Sequence, residues 1–472
     1  MSEAIVVGAG PNGLACAAAL ARAGVGVTVL EAAATIGGGA SSSELTLPGL
    51  IHDDCSATHP LVVDSPALSG LNLDRHGLEW AWPEVDLTHP FDDGTAAVMV
   101  RSIEETAAGL GDAGRAWKRA FGPPAAGFDA LSEDILEPFL RLPRHPIMLA
   151  QFGTRAALPA TALARSLGSD AARALFGGVA AHSFSPQNGP FSSAVGLALI
   201  AACHRYGWPV ARGGSQAIAD ALAAVVREAG GTIETGRPVR ALSELPAADA
   251  VVFDLAPAAV ARIAGDRISP RAARGLRRYR HGPGAFKVDL AVDGGVPWTA
   301  EAAHRAGTVH AIGSHEEIVA AEREVNRGRM PERPFVLVGQ QYLADPVRSK
   351  GEVHPVWSYC HVPSGFPGDV TEAVIDQIER FAPGLRERIV ARHVRSAPDL
   401  EAYNPNYVGG DIINGATNGI QSFLRPRLAL DPYSAGGDGL YICSAATPPG
   451  AGAHGICGFN AARSVLRDLG AG

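Results

Sequence analysis

A glycine-rich turn near the amino terminus constrains the fold of this chain more than any other feature. The stretch AIVVGAGPNGLACAAALARAGVGVTVLE contains the pattern G-x-G-x-x-G at Gly8, Gly10 and Gly13. An apolar strand, this turn, an Ala-rich helix closed by Gly24 and a second strand that ends at Glu31 are typical of the first βαβ unit of a nucleotide-binding domain. The sequence therefore predicts a Rossmann-type α/β domain.

Each residue of this pattern has a predicted role in holding a dinucleotide. Gly8 permits the tight turn, Gly10 lets the backbone approach a pyrophosphate, and Gly13 allows close packing of helix on strand. The pyrophosphate would lie at the helix amino terminus, where unpaired N–H groups favour an anion. Glu31 would accept a hydrogen bond from a ribose 2′-hydroxyl, and its charge argues against a 2′-phosphate.

A second glycine cluster distinguishes a flavin-binding sequence from a nicotinamide-binding one. Gly37, Gly38 and Gly39 follow Glu31 after the short segment AAATI. Dehydrogenases that use a nicotinamide do not require this cluster, whereas a glycine-rich turn here lets the backbone pass close to a second stretch of a long cofactor. The pattern favours FAD. No second G-x-G-x-x-G follows a strand and opens a helix, so we expect no separate NAD(P) domain.

The carboxyl-terminal stretch GLYICSAATPPGAGAHGICG carries the second strong signal. It predicts a strand from Leu440 to Cys443, a loop rich in Gly and Pro, and a helix that begins near Gly455. A loop of this kind before a helix amino terminus brings backbone N–H groups towards an anion or an electron-rich ring edge.

The rest of the chain predicts two domains, because 472 residues exceed one ordinary domain. We predict a discontinuous FAD domain over residues 1–75, 206–269 and 431–472. A mixed-sheet α+β substrate domain would comprise residues 76–205 and 270–430. The segments TIETG, RPVRAL and AADAVVFDLAP are predicted strands of the FAD domain.

Composition narrows the partners and the location. The net charge of −8 gives no reason to expect nucleic acid as a partner. The six cysteines are scattered without metal-ligand spacing, so neither a metal site nor a disulfide framework is predicted. No signal-peptide pattern and no apolar run of about 18 residues precede or interrupt the predicted elements. We expect a soluble cytoplasmic protein, and the sequence leaves open a peripheral membrane contact and a homodimer.

Beyond these motifs, the sequence resembles the phytoene-desaturase-like FAD oxidoreductases of the amine-oxidase/phytoene-desaturase superfamily. Within them it is most similar to the branch of the pyridine nucleotide-disulphide oxidoreductase domain-containing proteins. The matching stretches span nearly the whole chain and include HDDCSATHPL, RYRHGPGAFKVDLAVDG, AYNPNYVGGDI and LRPRLALDPY. The chain departs from many relatives in having Pro11 where His is common and GGGASS in place of GGAA-type sequences.

The resemblance implies a glutathione-reductase-like FAD domain. It implies that Ser41 and Ser42 lie near the ribityl or pyrophosphate region, that Val239 meets the adenine through its backbone, and that the loop 452–458 lies along the isoalloxazine ring. Taken with the glycine motifs, the residues predicted to hold FAD are Gly8, Gly10, Pro11, Asn12, Gly13, Glu31, Gly38, Gly39, Ala40, Ser41, Ser42, Val239, Ala446, Gly452, Gly455, Ile456 and Cys457.

Three residues are predicted catalytic candidates: His59, His454 and Tyr407. A neutral imidazole near the flavin can donate a hydrogen bond or act as a base, although a structural or merely polar role is the more common one for a single histidine. Asp411 is expected to stabilise a loop, and Cys457 to be a buried, inert thiol.

The predicted function is hydride transfer from an apolar or amphipathic small molecule to the flavin, which oxygen, a quinone or another acceptor reoxidises. The uncharged span Ala174–Cys203 is predicted to line the substrate cavity. A flavin amine oxidase, a redox-neutral flavin-dependent isomerase and a non-catalytic flavin-bearing scaffold remain as alternatives.

Overall fold

The computed structural model describes residues 2–470 of the chain. The strands are β1 (Glu3–Val7), β2 (Gly26–Leu30), β3 (Ser42–Ser43), β4 (His52–Asp53), β5 (Trp80–Ala81), β6 (Val85–Pro90), β7 (Ala96–Met99), β8 (Val210–Ala211), β9 (Thr232–Glu234), β10 (Ala250–Phe253), β11 (Gly284–Asp293), β12 (Ala306–Ala311), β13 (Val336–Gly339), β14 (Val353–Val362), β15 (Ile389–Arg395), β16 (Ser434–Gly437) and β17 (Leu440–Ile442). The helices are α1 (Pro11–Arg22), α2 (Ile103–Gly109), α3 (Gly114–Ala126), α4 (Phe128–Ile135), α5 (Pro146–Ala156), α6 (Ala160–Arg165), α7 (Asp170–Ala181), α8 (Ala194–Tyr206), α9 (Gln216–Glu228), α10 (Pro257–Ala264), α11 (Pro270–Arg277), α12 (His315–Asn326), α13 (Thr371–Glu379), α14 (Leu385–Arg388), α15 (Ala397–Tyr403) and α16 (Ile456–Asp468).

The first strand lies inside a six-stranded sheet of order β16-β17-β10-β1-β2-β9. All neighbouring pairs are parallel except β16–β17. Ala4 and Val6 pack in the core that α1, α9 and α16 form on one face, while Ile5 and Val7 pack with α10 and α11 on the other. Because helices cover both faces, the strand is apolar throughout instead of alternating.

A seven-stranded sheet of order β15-β11-β14-β13-β12-β6-β7 forms the second layer. Its pairs are antiparallel except β12–β6. Val288 and Leu290 face α13 in one core, whereas Leu337, Trp357 and Tyr359 belong to a core on the opposite side. The predicted fold class is confirmed: a Rossmann-type α/β sheet is combined with a mixed-sheet α+β unit.

A helical layer made by α3, α6, α7 and α8 covers the edge of the second sheet. Its core contains Trp117, Phe121 and Phe176, all fully buried. Helix α7 is buried on nearly all sides, as every residue from Ala174 to Ala181 shows, and the other helices pack around it to close one end of the space between the two sheets.

Two expectations from the sequence need correction. The segment RPVRAL forms no strand, because Pro238 has no N–H for a ladder and the Arg237 N–H instead bonds the Glu31 carbonyl at 2.8 Å, which turns the chain across the end of β2. The domain boundary at residue 270 falls too early, since Ala273 and Leu276 of α11 pack in the core of the six-stranded sheet. The other domain bounds stay predictions.

Among residues 2–470, no helix combines the length and apolarity needed to cross a membrane.

Candidate dinucleotide and substrate cavity

One elongated cavity of about 1560 Å³ lies between the two sheets. One end lies at the carboxyl edge of the parallel strands, against Gly8, Gly10 and Glu31. The other end lies among aromatic side chains that include Trp357 and Tyr359. Ligands of open α/β sheets bind at this strand edge, so the position agrees with a nucleotide site.

The first glycine turn requires glycine for steric reasons. Gly8 has φ 107°, and a Cβ at Gly10 would lie 2.7 Å from Asp254 Oδ2. A Cβ at Gly13 would overlap the carbonyl oxygen of Gly8. The backbone is therefore folded tightly against β10, with α1 beginning at Pro11 and its amino terminus open to the cavity.

Glu31 ends β2 with its carboxylate fixed at the cavity wall. One carboxylate oxygen accepts the Ala9 N–H at 2.7 Å and the other accepts the Ala33 N–H at 2.8 Å. Each oxygen keeps a second lone pair, which a ribose hydroxyl can use. This geometry agrees with the role predicted for Glu31.

The second glycine cluster packs against protein as well as lining the cavity. Gly37 and Gly38 have φ 117° and 52°, and a Cβ at Gly38 would lie 3.2 Å from the Cα of Gly10. A Cβ at Gly39 would overlap the Tyr407 hydroxyl. Glycine is thus needed here because the two turns touch each other, a reason that sequence analysis did not foresee.

Two neighbouring serines differ in where they point. Ser41 lines the cavity beside the buried Ala40, and its hydroxyl donates to the Gly38 carbonyl at 2.8 Å. Ser42 is absent from the cavity wall, and its hydroxyl donates to Asp53 at 2.8 Å. The structure therefore gives Ser42 a role in fixing β3 against β4, in place of the predicted cofactor contact.

Some of the predicted cofactor residues line the cavity, and the others lie behind its surface. The wall contains Gly8, Gly10, Pro11, Asn12, Glu31, Gly38, Gly39, Ala40, Ser41, Val239 and Gly452. Gly13, Ser42, Ala446, Gly455, Ile456 and Cys457 lie behind the cavity surface. Gly13 and Gly455 act through the turns they permit, and Ala446, Ile456 and Cys457 are buried behind the terminal loop.

The terminal loop supplies a second wall through Pro448, Pro449 and the residues from Ala451 to His454. Cys457 lies behind it, and its thiol donates to the Gly450 carbonyl across 3.4 Å. Burial raises the pKa of Cys457 to about 11, so the thiol stays protonated. It acts as a buried side chain that fixes the loop.

His59 lies on the cavity wall as a neutral imidazole of defined tautomer. Its Nε2 is 2.9 Å from Ser215 Oγ, and that hydroxyl donates its proton to the Ser56 carbonyl at 2.6 Å. Ser215 therefore accepts from His59, which leaves the lone pair on His59 Nδ1. Burial lowers the pKa of His59 to about 4.

His454 also lines the cavity, but its own loop uses both ring nitrogens. Nδ1 accepts the Ile456 N–H at 3.1 Å, and the ring bonds backbone carbonyls of Gly450 and Ala451. Burial lowers the pKa of His454 to about 4. The contacts favour a loop-holding role for His454 over proton transfer.

Tyr407 lines the cavity between the glycine cluster and the second sheet. Burial raises the pKa of its phenol well above the usual range, as does the neighbouring Cys55 thiol. The phenol is a hydrogen-bond donor there, and no phenolate base forms near neutral pH. Asp411, as expected, fixes a loop by accepting the N–H groups of Gly282 and Gly415 at 2.8 and 2.7 Å.

The substrate end contains side chains that sequence analysis did not single out. Trp357 and Tyr359 of β14 face it, and Phe184 lies nearly parallel to Tyr359 with ring centroids 6.0 Å apart. His182 lines the same region, and its Nε2 lies 3.0 Å from Nε2 of the buried His310. The span Ala174–Cys203 was predicted to line the substrate cavity, and only part of it does. Most of the span forms α7 and α8, whose side chains pack in the helical core.

The acidic side chains of the substrate end all have partners. Asp134 accepts the backbone N–H groups of Arg144 and His145, at 2.7 and 2.8 Å. Glu137 pairs with Arg141 at 2.8 Å. Glu137 is thus neutralised by an arginine, whereas Asp134 bonds only neutral N–H groups and keeps its charge and a second lone pair on each oxygen for a ligand.

Asp254 is a further residue that sequence analysis missed, and it lies at the nucleotide end. It follows β10, lines the cavity, and accepts the Gly13 N–H through Oδ2 at 2.9 Å. Burial, together with the smaller effect of the nearby Glu31 charge, raises the pKa of Asp254 to about 7. The segment VVFDLAP carried the signal, since a carboxylate at the end of a predicted parallel strand lies at the ligand-binding edge.

The residues of the nucleotide end fit an extended dinucleotide with phosphate groups. Asn12 Oδ1 is buried at the start of α1 and has no partner among residues 2–470. The wall is glycine backbone where phosphates would approach, and the cavity continues without a break to the terminal loop. A single short nucleotide would leave that continuation unused.

Comparisons with known proteins agree with this geometry. Residues 6–71 match the NAD(P)-binding Rossmann-like domain family. The mouse pyridine nucleotide-disulfide oxidoreductase domain-containing protein 2 is 25% identical over 548 aligned residues, which cover 99% of this chain and 94% of the mouse protein.

Among solved structures, an oxidoreductase from Methanosarcina mazei superposes with a TM-score of 0.63 at 17% identity and covers 98% of this chain and 100% of its own. A putrescine oxidase bound to putrescine gives 0.61 at 16% identity, with 99% of each chain covered. The predicted resemblance to the pyridine nucleotide-disulphide oxidoreductase domain-containing proteins is confirmed, and the solved structures share the fold.

Proposed function

We propose that the chain is an FAD-dependent oxidoreductase that removes a hydride from an apolar or amphipathic small molecule. The observation that carries the proposal is the single cavity, which begins at a glycine turn with a ribose-accepting glutamate and ends among aromatic side chains. A protein that only bound a nucleotide would have no use for the second half of this space.

FAD, when bound, supplies the hydride acceptor. The residues that would hold it are the glycine turn at the α1 amino terminus, Glu31, the Gly38–Ser41 segment and the terminal loop. The protein's own contribution is to orient the substrate, to exclude water and to hold protons in place.

Hydrophobic walls support an apolar or amphipathic substrate. Trp357, Tyr359 and Phe184 line one side of the substrate end, and Phe152 and Leu199 line the other. Burying an apolar ligand group about as large as a Leu or Phe side chain stabilises a complex by about 2 kcal/mol. The substrate's reacting bond would thus be held by shape and apolar contact.

A proton that leaves the substrate has two neutral acceptors on the wall. His59 presents the lone pair of Nδ1, and His182 lines the substrate end. The low pKa of each ring, about 4 for His59 and about 3 for His182, keeps both in the accepting form at neutral pH.

An amine oxidase is the second candidate, because structures with this fold include a putrescine oxidase. The ion pair of Glu137 with Arg141 argues against recognition of an ammonium group by Glu137. Asp134, which bonds only neutral backbone N–H groups, and the aromatic pair of Phe184 and Tyr359 favour an amine.

The test is anaerobic reduction of the flavin-loaded protein. The flavin absorbance near 450 nm, a rough value for any protein-bound flavin, is followed while alkenes, alicyclic compounds, alcohols and amines are added in turn. Bleaching by an apolar or amphipathic class supports the proposal. Bleaching by amines alone would transfer support to the amine oxidase, and a protein that bleaches with none while binding FAD would favour the scaffold.

A further inference from the structure

A buried arginine without an acidic partner lies on the wall of the cavity. Arg425 is only 5% exposed and lines the cavity between Phe423 and the terminal loop. No Asp or Glu carboxylate among residues 2–470 lies within 4.0 Å of its guanidinium group. Buried charges are normally paired, because removing an ion from water costs several kcal/mol.

The partners that Arg425 does have are neutral. Nη2 donates to the Tyr279 hydroxyl at 2.6 Å and to the Asn414 carbonyl at 3.1 Å, and Nε donates to the Ala446 carbonyl at 3.3 Å. These contacts fix the plane of the guanidinium group without neutralising its charge. Nη1 makes no hydrogen bond within the described chain, and it is not among the fully buried unpartnered atoms.

The surroundings of Nη1 explain why it stays accessible. Gly450 lies beside Nη1, and a Cβ atom on residue 450 would lie only 2.6 Å from that nitrogen. Asn414, Thr417 and Ser422 also line the cavity, and the Asn414 carbonyl contacts Arg425 itself, so the cavity wall has a polar patch at Arg425. A guanidinium N–H pair in such a patch suits a planar oxygen anion.

We propose that Arg425 is an anion-binding site for the head group of an amphipathic substrate, most simply a carboxylate. This inference rests on the proposed function for the identity of the cavity, and it narrows the substrate class to anionic amphipaths. The phosphates of FAD are expected at the opposite end, near Gly10, and the flavin ring is oxidised and uncharged when the substrate binds. In that state, before any hydride moves, the substrate is the source of a compensating anion.

The experiment compares three ten-carbon probes that differ only in the head group: decanoate, 1-decanol and decylammonium. Their binding is measured by titration calorimetry at pH 7.5, in the apoprotein and in the FAD-loaded protein. We expect decanoate to bind at least about tenfold more tightly than either other probe, as a charge-assisted hydrogen bond in a buried site allows.

Arg425→Met removes the charge and keeps most of the apolar stem, so the preference for decanoate should disappear. Arg425→Lys keeps a charge and should restore part of it. Tyr279→Phe removes a neutral partner and should preserve the preference. Arg427→Met is the matched control, because Arg427 lies in the same segment outside the cavity wall and donates to the Ser434 carbonyl at 2.8 Å.

Equal binding of decanoate and 1-decanol by the wild-type protein would overturn the inference whether or not any variant folds. A preference that survives in Arg425→Met would also overturn it, as would a loss of FAD affinity in that variant with no change in head-group preference. Failure to bind FAD at all, with the decanoate preference intact, would instead overturn the proposed function alone.

Discussion

The two ends of the cavity are built by different means. The nucleotide end is made of backbone: the glycine turn touches the second glycine cluster, and the N–H of Gly13 and carboxylates at strand ends define its chemistry. The substrate end is made of side chains from distant segments, including Phe184, Trp357 and Phe423. Backbone construction tolerates almost no substitution, whereas a side-chain wall can be altered without loss of the fold.

The largest effect is expected from Gly13→Ala, which tests the backbone-built end. Its Cβ would overlap the Gly8 carbonyl where β1, α1 and β10 meet, and backbone has no room to move there. We expect a loss of more than about 4 kcal/mol in the free energy of unfolding, together with loss of FAD binding. Thermal unfolding and flavin content measure both.

Gly109→Ala is the control, since a Cβ at Gly109 meets no atom within 4 Å and should change stability by less than about 1 kcal/mol. A Gly13→Ala protein that binds FAD like the wild type would remove the steric argument for this end.

Trp357→Ala tests the side-chain-built end. Trp357 is buried in the wall of the second sheet, and its loss should weaken binding of 1-decanol by about 2 kcal/mol while FAD affinity changes less than about threefold. Calorimetry with each ligand separates the two effects. A parallel loss of both affinities would show that the two ends are not independent.

His59→Gln tests the tautomer and charge of the imidazole between the two ends. The pKa of His59 is about 4 in the folded protein and 6.5 in its unperturbed state, so the unfolded chain binds more protons between these values. The wild type should therefore lose stability as pH falls from 6.5 towards 4, and Gln carries no such penalty.

Between pH 7 and pH 5 the stability difference should shift in favour of His59→Gln by about 2 kcal/mol. Denaturant unfolding at both pH values measures it, with the exposed His145→Gln as control. A pH-independent difference would mean that His59 carries its proton in the folded state.

Asp254→Asn gives the smallest effect on FAD affinity at pH 6, and its pH dependence sharpens the electrostatics of the nucleotide end. With a folded pKa of about 7 against 3.8, the carboxyl binds a proton in the folded state, so stability falls as pH rises from about 4 to 7. Above pH 7 the ionised form also repels a phosphate, which should weaken FAD by up to about tenfold per pH unit.

The asparagine variant should lose this pH dependence and keep its affinity at pH 6. Fluorescence titration of apoprotein with FAD from pH 6 to 9 measures it. Asp86→Asn is the control, because burial raises the pKa of Asp86 to about 6 but it lies outside the cavity wall. A flat wild-type profile would contradict the assignment.

The same contrast explains how much the sequence alone could predict. The positions of the glycine turn, Glu31 and the terminal loop could be predicted because local residue spacing determines the geometry of a βαβ unit. The second glycine cluster was found for an incomplete reason, since its contact with Gly10 depends on tertiary packing. His454 lies on the cavity wall, and the bond from the Ile456 N–H that its Nδ1 accepts within the loop was not visible in the sequence.

The substrate end could not be assembled from the sequence. Phe184 and Tyr359 are 175 residues apart by number and meet only because β14 lies next to the end of α7. In the sequence, nothing distinguishes Arg425 from an exposed arginine. Its burial, and the lack of an Asp or Glu within 4.0 Å among residues 2–470, depend on the tertiary structure. Side-chain sites of this kind depend on long-range contacts that leave no local pattern.

Flavin stoichiometry tests the central claim most directly. The purified full-length protein is saturated with FAD, freed of excess, and denatured by heat, and the released flavin is quantified against the chain. One FAD per chain in the wild type, with none in Gly13→Ala and one in Trp357→Ala, is the result predicted by a backbone-built nucleotide end joined to a side-chain-built substrate end. A wild-type protein that retains no FAD, or a Gly13→Ala protein that retains one, would contradict it.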